Sequence, residues 1–220
     1  MLVREWMTEG PKTVTTATPV MEAMQLMRQG EFRRLPILDG ERLVGIVTDR
    51  DLKEATPSKA TSLSVFELNY LLSKLTVSDI MKRPVITVDP ADPVERAAVL
   101  MEEHRISGLP VVDAERLVGI LTITDLLKAF ITVLGLREGG TRVTVFLPDE
   151  PGVLARAAAA AAPSNIVAVV TAGVHEGQRR EVVLRVSGEQ AGAYPDRLRE
   201  QGIEVVDVRQ GDADLAPRKP

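Results

Sequence analysis

Residues 41–51 read ERLVGIVTDRD, and residues 115–125 read ERLVGILTITD. Both segments belong to a longer internal repeat, in which residues 7–55 return without a gap at 81–129. The constant offset, 74 residues from 41 to 115, is too long for one unit of a thin solenoid and suits a small module of helices and strands. Because there are only two copies, we expect them to pair and to bury a shared face.

The hydrophobic period changes in a fixed order within each copy. Apolar residues at helical spacing follow Pro19, where Thr18 is a candidate N-cap before a proline at the first helical position, and Gly30 is placed to end the helix. The pattern predicts, in order, a short strand at 13–15, this helix, strands at 35–38 and 43–47 joined by an Asp39-Gly40 turn, and a helix at 49–55.

The last third of the chain follows a different pattern. It predicts a strand at 142–147, a helix at 153–162, strands at 166–171 and 181–186, a helix at 194–201 and a strand at 204–208. Strand, helix, strand, strand, helix, strand is the split βαβ arrangement of ferredoxin-like folds.

Composition excludes several classes of function. The chain has 220 residues, a net charge of −4 with both signs interspersed, and 3% aromatic residues, so neither a basic stripe nor a set of base-stacking side chains indicates nucleic-acid binding. Cysteine is absent, which excludes disulfides, thiolate nucleophiles and Cys-ligated metals. The two histidines lack metal-ligand spacing, so we predict no metal site. No signal peptide or membrane span is evident, so we expect a cytoplasmic protein without membrane contact.

The repeated motif identifies the first three fifths of the chain. Residues 45–51 and 119–125 both fit a Gly-h-h-Thr-x-x-Asp signature, where h is apolar, and this signature resembles that of CBS domains. Residues 106–113 are similar to the matching segment of the CBS pair of IMP dehydrogenase. Residues 33–36 resemble the phosphate-contacting segment in the γ subunit of AMP-activated protein kinase. The resemblance implies two βαββα repeats related by a pseudo-dyad.

The C-terminal third resembles an ACT domain, the small regulatory module of amino-acid enzymes. The matching residues are 149–154, at the first strand-to-helix turn, and Asn165-Ile166, at the start of the second strand. A CBS pair followed by an ACT domain is the layout of the acetoin utilization accessory protein family, which the whole chain resembles. The fold class that follows is α/β (α+β), with a tandem CBS pair and a ferredoxin-like βαββαβ domain.

Domain boundaries follow from these patterns. We expect CBS domain 1 at 1–56, a linker with an added amphipathic helix at 57–75, CBS domain 2 at 76–136, a flexible joint at 137–141, the ACT domain at 142–210 and a polar tail at 211–220.

The Thr-x-x-Asp segment suggests how each copy could hold a nucleotide. Thr48 ends a strand where a helix begins, so its hydroxyl and the first free backbone N–H groups can meet a phosphate. Asp51 projects from the same helical face and could accept hydrogen bonds from ribose hydroxyls. We expect Lys12 and Thr13 to read the adenine edge, with Val14, Leu35 and Ile46 as apolar walls. The alternative is that Thr48 and Asp51 merely cap the helix.

The two copies differ in cationic residues. Arg33 and Arg34 of the first become Ser107 and Gly108 in the second, so the set of Arg34, Thr48 and Asp51 is expected to bind AMP, ADP or ATP more tightly. The second set comprises Thr122 and Asp125 with Ile86, Thr87 and Gly108, and we expect it to bind more weakly or to accept an uncharged adenosine group. Because the copies face each other, Arg34 could equally serve across the cleft.

The ACT resemblance implies a further candidate site. In ligand-binding members an amino acid can lie at the turn that here contains Asp149, Gly152 and Val153, with Asn165 nearby, at an interface between two ACT domains. Asp149 replaces the Asn that is common in those members, and a carboxylate there would repel the carboxylate of a ligand. We therefore favour a dimerising or structural role for this domain.

Together these observations predict a non-catalytic regulatory protein. Its CBS pair is expected to sense AMP, ADP, ATP or an adenosine derivative and to relay this to the ACT domain or to an unidentified partner protein, within a homodimer and without a resident cofactor. No nucleophile triad or phosphate-binding Gly-rich loop favours an enzyme. The alternatives are a structural dimerisation module with degenerate pockets and an amino-acid sensor acting through the ACT domain.

Overall fold

A computed structural model describes residues 1–55, 74–175 and 179–211 of the chain. The chain divides into two compact units, Met1–Leu126 and Leu127–Pro220, which are described separately. The helix predicted at 65–72, the turn predicted at Glu176-Gly177 and the tail from residue 212 onward lie outside the described residues. No helix in the described ranges is long and apolar enough to cross a membrane.

The first repeat contains the five elements that its sequence predicts. They are β2 (Val14–Thr15), α1 (Val20–Gln29), β3 (Arg34–Asp39), β4 (Arg42–Thr48) and α2 (Asp49–Glu54), preceded by the short strand β1 (Thr8–Glu9). β2 runs parallel to β3, and β3 pairs antiparallel with β4. The predicted cap of α1 is wrong by one residue: the helix begins at Val20 with Pro19 as its N-cap, because the Thr18 hydroxyl instead accepts a hydrogen bond from the backbone N–H of Thr15.

The second repeat has the same order. It contains α3 (Val94–Glu103), β5 (Gly108–Asp113), β6 (Arg116–Thr122) and α4 (Ile123–Val133). β5 and β6 pair antiparallel, and Val88 forms a parallel bridge with Val111 that matches the pairing of Val14 with Ile37 in the first repeat. The repeat in the sequence is therefore a repeat in the backbone.

The segments around residues 3–9 and 77–83, which lead into the first strand of each repeat, pack against the other repeat. β1 pairs antiparallel with β6, and Lys82 forms the equivalent bridge with Ile46 of β4. Val3 is fully buried in the core of the second repeat, whereas Val77 is fully buried in the core of the first. The two repeats thus complete each other's cores.

The glycine of the repeated motif makes this exchange possible. A Cβ atom at Gly45 would overlap the thioether of Met81, and one at Gly119 would overlap that of Met7. Met7 lies at the start of the first copy and contacts β6 of the second. Met81 lies at the start of the second copy and contacts β4 of the first. The glycine is therefore needed for close packing between the repeats.

The second unit is the predicted ferredoxin-like domain. Its elements are β7 (Thr141–Pro148), α5 (Val153–Ala159), β8 (Asn165–His175), β9 (Arg179–Ser187), α6 (Tyr194–Glu200) and β10 (Glu204–Gln210). The antiparallel sheet has the order β10-β7-β9-β8. One face carries a core that includes Val145 and Leu184, which cluster with Ala157 of α5 and Leu198 of α6. The βαββαβ fold class is confirmed.

Candidate functional site

Threonine and aspartate are hydrogen-bonded at both strand-to-helix corners, and at the first corner they form a reciprocal capping box. The backbone N–H and the hydroxyl of Thr48 donate to Asp51 Oδ2 over 2.9 and 2.6 Å, and the backbone N–H of Asp51 donates to Thr48 Oγ1 over 3.3 Å. At the second corner, the backbone N–H and the hydroxyl of Thr122 donate to Asp125 Oδ2 over 3.0 and 2.6 Å. Threonine and aspartate three residues apart are a known arrangement for starting a helix.

These bonds limit what the first corner can offer to a ligand. The hydroxyl hydrogen of Thr48 is committed to Asp51, and the first amide of α2, at Asp49, donates to the carbonyl of Arg33 over 3.0 Å. Few helix N–H groups therefore remain for a phosphate. Recognition of an anion at this place must rely on cationic side chains.

Those side chains surround a cavity of about 660 Å³ between the two repeats. This volume is within the range of small-molecule sites. The cavity is lined by Arg33, Arg34, Ile46, Thr48, Asp49, Arg50, Lys82, Pro84, Val85, Ile86, Arg105, Ile106, Ser107, Gly108 and Pro110.

The cavity lining has an apolar part and a cationic part. The apolar part includes Ile46 of β4 and Ile86, from the segment that leads into the second repeat. The cationic part has five basic side chains against the single acidic side chain of Asp49. A ligand suited to both parts would combine an apolar ring with a negative group.

Arg34 extends from the first repeat across to the second. Its Nη2 donates to Ser107 Oγ over 2.7 Å, and its guanidinium occupies the space that a Cβ atom at Gly108 would fill. Nη1 is buried and has no hydrogen-bond partner among the described residues. An arginine nitrogen that is buried without a partner is costly, so Nη1 is a donor for an acceptor that the described residues do not supply.

Burial also alters the charge environment of Arg34. Burial first, and then the charge of neighbouring Arg33, lower the pKa of Arg34 from its usual value, while Asp49 and Asp125 act in the opposite direction. Arginine remains protonated in proteins despite such changes. An anionic ligand group at Nη1 would therefore meet a full positive charge that water screens only partly.

The other cations of the cavity differ in their ion pairs. Arg50 pairs with Glu54 at 2.7 Å and Lys82 Nζ lies 3.5 Å from Asp51 Oδ1. Neither Arg33 nor Arg105 forms an ion pair within the described part of the chain. Arg33, Arg34 and Arg105 are therefore the cavity side chains best placed to pair with an anionic group of a ligand.

The structure divides the predicted nucleotide-binding residues into two groups. Arg34, Thr48, Ile86 and Gly108 line the cavity together, although Ile86 and Gly108 were expected to accompany Thr122. The predicted partners of Thr48 at the adenine edge, Lys12 and Thr13, do not line it. Each repeat instead receives its neighbouring loop from the other copy, because the leading segments are exchanged.

The remaining predicted residues lie elsewhere. Val14 and Leu35, predicted as adenine walls, are buried in the core of the first repeat. Asp125 is buried beneath its corner with 8% exposure. Thr87 lines a second cavity of about 430 Å³, which also contacts Arg83 and Glu115.

Sequence reasoning missed Arg105 and the loop residues Lys82, Pro84 and Val85 as cavity residues. Arg105 occupies the position that Glu31 occupies in the first copy. Comparison of the two copies therefore gives no sign that this position carries a functional cation. The loop could have been found by asking which segment faces β4 across the pseudo-dyad. The described residues contain no cluster of three or more side chains suited to a metal ion.

The sequence analysis treats the carboxylate of Asp149, in the turn of the second unit, as an unpaired negative charge, but the structure pairs it with an arginine. Asp149 accepts from Arg180 Nε and Nη2 at 3.2 and 3.3 Å, so its carboxylate is already paired. Gly152 adopts a left-handed φ of +86° as the N-cap of α5, and Val153 is buried in the core. Asn165 begins β8 opposite Ser187.

Comparison with known families accounts for both units. The CBS domain profile matches residues 3–58 and 77–132, and a TTHA0829-like ACT domain profile matches residues 139–209. The chain belongs to the CBS domain family. It combines a CBS pair with a C-terminal ACT domain, as its sequence predicts.

Curated relatives contain the CBS pair in different settings. The chain is 36% identical over 136 residues to a CBS domain-containing protein of Dictyostelium discoideum, covering 61% of this chain and 94% of that one. It is 34% identical over 131 residues, or 59% of its length, to an L-aspartate semialdehyde sulfurtransferase of Methanocaldococcus jannaschii, but spans only 23% of that enzyme.

Solved structures show the same similarity. A Vibrio cholerae protein named for acetoin utilization, AcuB, is 32% identical to this chain and superposes with a TM-score of 0.52. The match covers 63% of this chain and 96% of that one. The CBS pair of protein MJ0100, solved with 5′-methylthioadenosine and S-adenosylmethionine, is 34% identical, with a TM-score of 0.49 over 59% of this chain and 95% of that one.

Proposed function

We propose that this protein is a non-catalytic regulator that binds an adenine nucleotide in the cavity between its two CBS repeats. The observation that supports this most directly is the cavity lining. Within residues 1–55, 74–175 and 179–211, no carboxylate forms an ion pair with Arg33, Arg34 or Arg105, and no acceptor lies within hydrogen-bond distance of Arg34 Nη1. Phosphate is the common biological group that satisfies several guanidinium groups at once.

The two parts of the cavity fit the two ends of a nucleotide. The purine would lie against Ile46 and Ile86, which are apolar and half-buried. The ribose would lie near Thr48, whose oxygen is an available acceptor even though its hydrogen is bonded to Asp51. The phosphate would then accept from Nη1 of Arg34.

Regulation requires that the nucleotide bind two arrangements of the repeats with different affinity. Arg34 could provide this difference because it already contacts the second repeat through Ser107. A phosphate at Nη1 would hold the same guanidinium that bridges the repeats. The bound state would then favour the arrangement in which Arg34 joins both repeats. This change in arrangement would be relayed to the ACT domain or to a partner protein within a homodimer.

Calorimetric titration of the full chain tests the binding proposal. We expect AMP, ADP or ATP to bind, and Arg34→Met to weaken that binding by at least about tenfold, the usual value of one charged hydrogen bond, while binding of adenosine changes little. Arg116→Met is the matched control, because Arg116 is an exposed residue that pairs with Glu41 at 3.4 Å outside this cavity.

Two results would contradict the proposal. If no adenine nucleotide binds at millimolar concentration, the CBS pair is better explained as a structural interaction module. If AMP or ATP is converted to product during incubation, as chromatography of the mixture would show, the protein is an enzyme and not only a sensor.

A further inference from the structure

The sheet of the C-terminal domain has a second face, away from its apolar core. Val143 and Val145 of β7 and Leu184 and Val186 of β9 are buried in the core. Their alternating neighbours in the strands point to the opposite face. There, Arg142 of β7 is paired in register with Arg185 of β9, which places two like charges directly across from each other, an unfavourable arrangement without a compensating anion.

The two arginines are not equally compensated. Arg142 Nη1 lies 3.1 Å from Asp207 Oδ2 in an ion pair. Arg185 is only 5% exposed, and its hydrogen bond is a long one of 3.4 Å from Nη1 to the carbonyl of Gly139. Within the described ranges no carboxylate pairs with Arg185. A buried guanidinium without a carboxylate is costly, which points to an anion that the described residues do not supply.

A cavity of about 190 Å³ lies beside these arginines. Apart from Arg142 and Arg185 its lining is apolar: Leu134, Leu136, Ala168, Val170 and Val183. A dry apolar cavity of about 150 Å³ is large enough to bind benzene. The space therefore suits a short aliphatic group and is too small for a nucleotide.

We propose that this cavity is a binding site for a small branched-chain monocarboxylate. The carboxylate would accept hydrogen bonds from the Arg185 guanidinium, and the aliphatic chain would contact the five apolar residues. The site is separate from the nucleotide cavity, and it is also separate from the turn at Asp149 and Gly152.

The lining also distinguishes among carboxylates. The described residues that line it include two guanidinium groups and no acidic side chain, so an ammonium group on the ligand would lack a partner there and would be repelled. A free amino acid should therefore bind less well than the corresponding unsubstituted acid.

Three compounds with the same carbon skeleton test this proposal by calorimetry on the full chain. We expect 4-methylpentanoate to bind, and both 4-methylpentanamide, which lacks the charge, and leucine, which adds an ammonium group, to bind at least about tenfold more weakly. In the Arg185→Met variant, the acid should lose at least about tenfold in affinity and bind no better than the amide does. Ala168→Phe, which fills the cavity but keeps both arginines, should abolish binding of the acid.

A measurement on the unmodified chain keeps the test independent of whether a variant folds. In methyl NMR spectra, 4-methylpentanoate should shift the signals of Val170 and Val183 and leave those of Val20, in the first CBS repeat, in place. The proposal is overturned if the acid does not bind or shifts none of these signals, if leucine or the amide binds as tightly, or if a folded Arg185→Met variant keeps the affinity for the acid.

Discussion

The guanidinium of Arg34 lies over the backbone of Gly108, in the space where any other residue would place its Cβ atom. The two residues are equivalent positions of the repeat, 74 apart in the chain from 34 to 108. An arginine in one copy therefore requires a glycine in the other. This asymmetry allows the Arg34 side chain to contact both repeats at the cavity. The position of Arg34 therefore depends on both CBS repeats.

Gly108→Ala should displace Arg34 and weaken nucleotide binding. The added Cβ would overlap the guanidinium, which would move and lose its hydrogen bond to Ser107. We expect AMP affinity to fall about tenfold and the free energy of unfolding to fall by about 1 kcal/mol, the usual value of one hydrogen bond. Calorimetry and urea unfolding measure the two effects.

Gly173→Ala is the matched control, because a Cβ at Gly173 meets no atom within 4 Å and its φ is not left-handed. It should change neither quantity. Unchanged AMP affinity in Gly108→Ala would show that the position of Arg34 does not matter for binding.

The two motif aspartates should differ in their effect on binding. Asp51→Ala and Asp125→Ala each remove the carboxylate that accepts two hydrogen bonds from the threonine three residues earlier, so each should lower the free energy of unfolding by about 1 kcal/mol. We expect Asp51→Ala to weaken AMP binding roughly tenfold and Asp125→Ala to weaken it less, because Thr48, held by Asp51, lines the cavity with Arg34. Calorimetry on both variants checks this ranking, and equal losses of affinity would remove it.

Local sequence signals predicted the elements of both units well. The two-residue turn predicted at Asp39-Gly40 is displaced by one residue, because Asp39 still pairs with Arg42 and the strands are joined by Gly40 and Glu41. The βαββαβ order of the C-terminal domain is confirmed. Errors fall at ends: α5 stops at Ala159 instead of 162, and β8 extends to His175 instead of 171. Propensity and periodicity are local properties, and they are weakest at element boundaries.

The exchange of leading segments was not predictable in this way. A strand of two residues such as Thr8–Glu9 carries no signal of its partner, which lies more than 100 residues along the chain at Gly119 and Ile120. For the same reason the sequence grouped Thr48 with Lys12 and Thr13, whereas the cavity groups it with Ile86. The types of residue at the candidate site were predictable, but the assembly of the site from two copies depends on long-range pairing.

Val3→Ala should destabilise the second repeat and not the first. Val3 is fully buried in the core that includes Leu109 and Leu121, so removing two methyl groups should lower the free energy of unfolding by about 2 kcal/mol. Hydrogen exchange should become faster in α3 and β5, with a smaller change in α1 and β3. The same change at Val99, which is 54% exposed on α3, should have little effect. Faster exchange confined to the first repeat would contradict the exchanged packing.

The stability of the C-terminal domain should depend on Tyr194 at high pH. Tyr194 is fully buried and donates to the carbonyl of Ala157 over 2.8 Å, and burial raises its pKa to about 12. The pKa of Tyr194 in the folded state exceeds the usual tyrosine value near 10, so the tyrosine loses its proton at lower pH in the unfolded state. Its contribution to stability is therefore complete below about pH 10 and is lost as the pH rises through about 12. Tyr194→Phe should cost about 1 kcal/mol at neutral pH, where the hydrogen bond is missing, and should flatten the fall in stability between these two pH values. Urea unfolding of both proteins across this range measures the slope, and an identical slope in the variant would assign the alkaline transition to other groups.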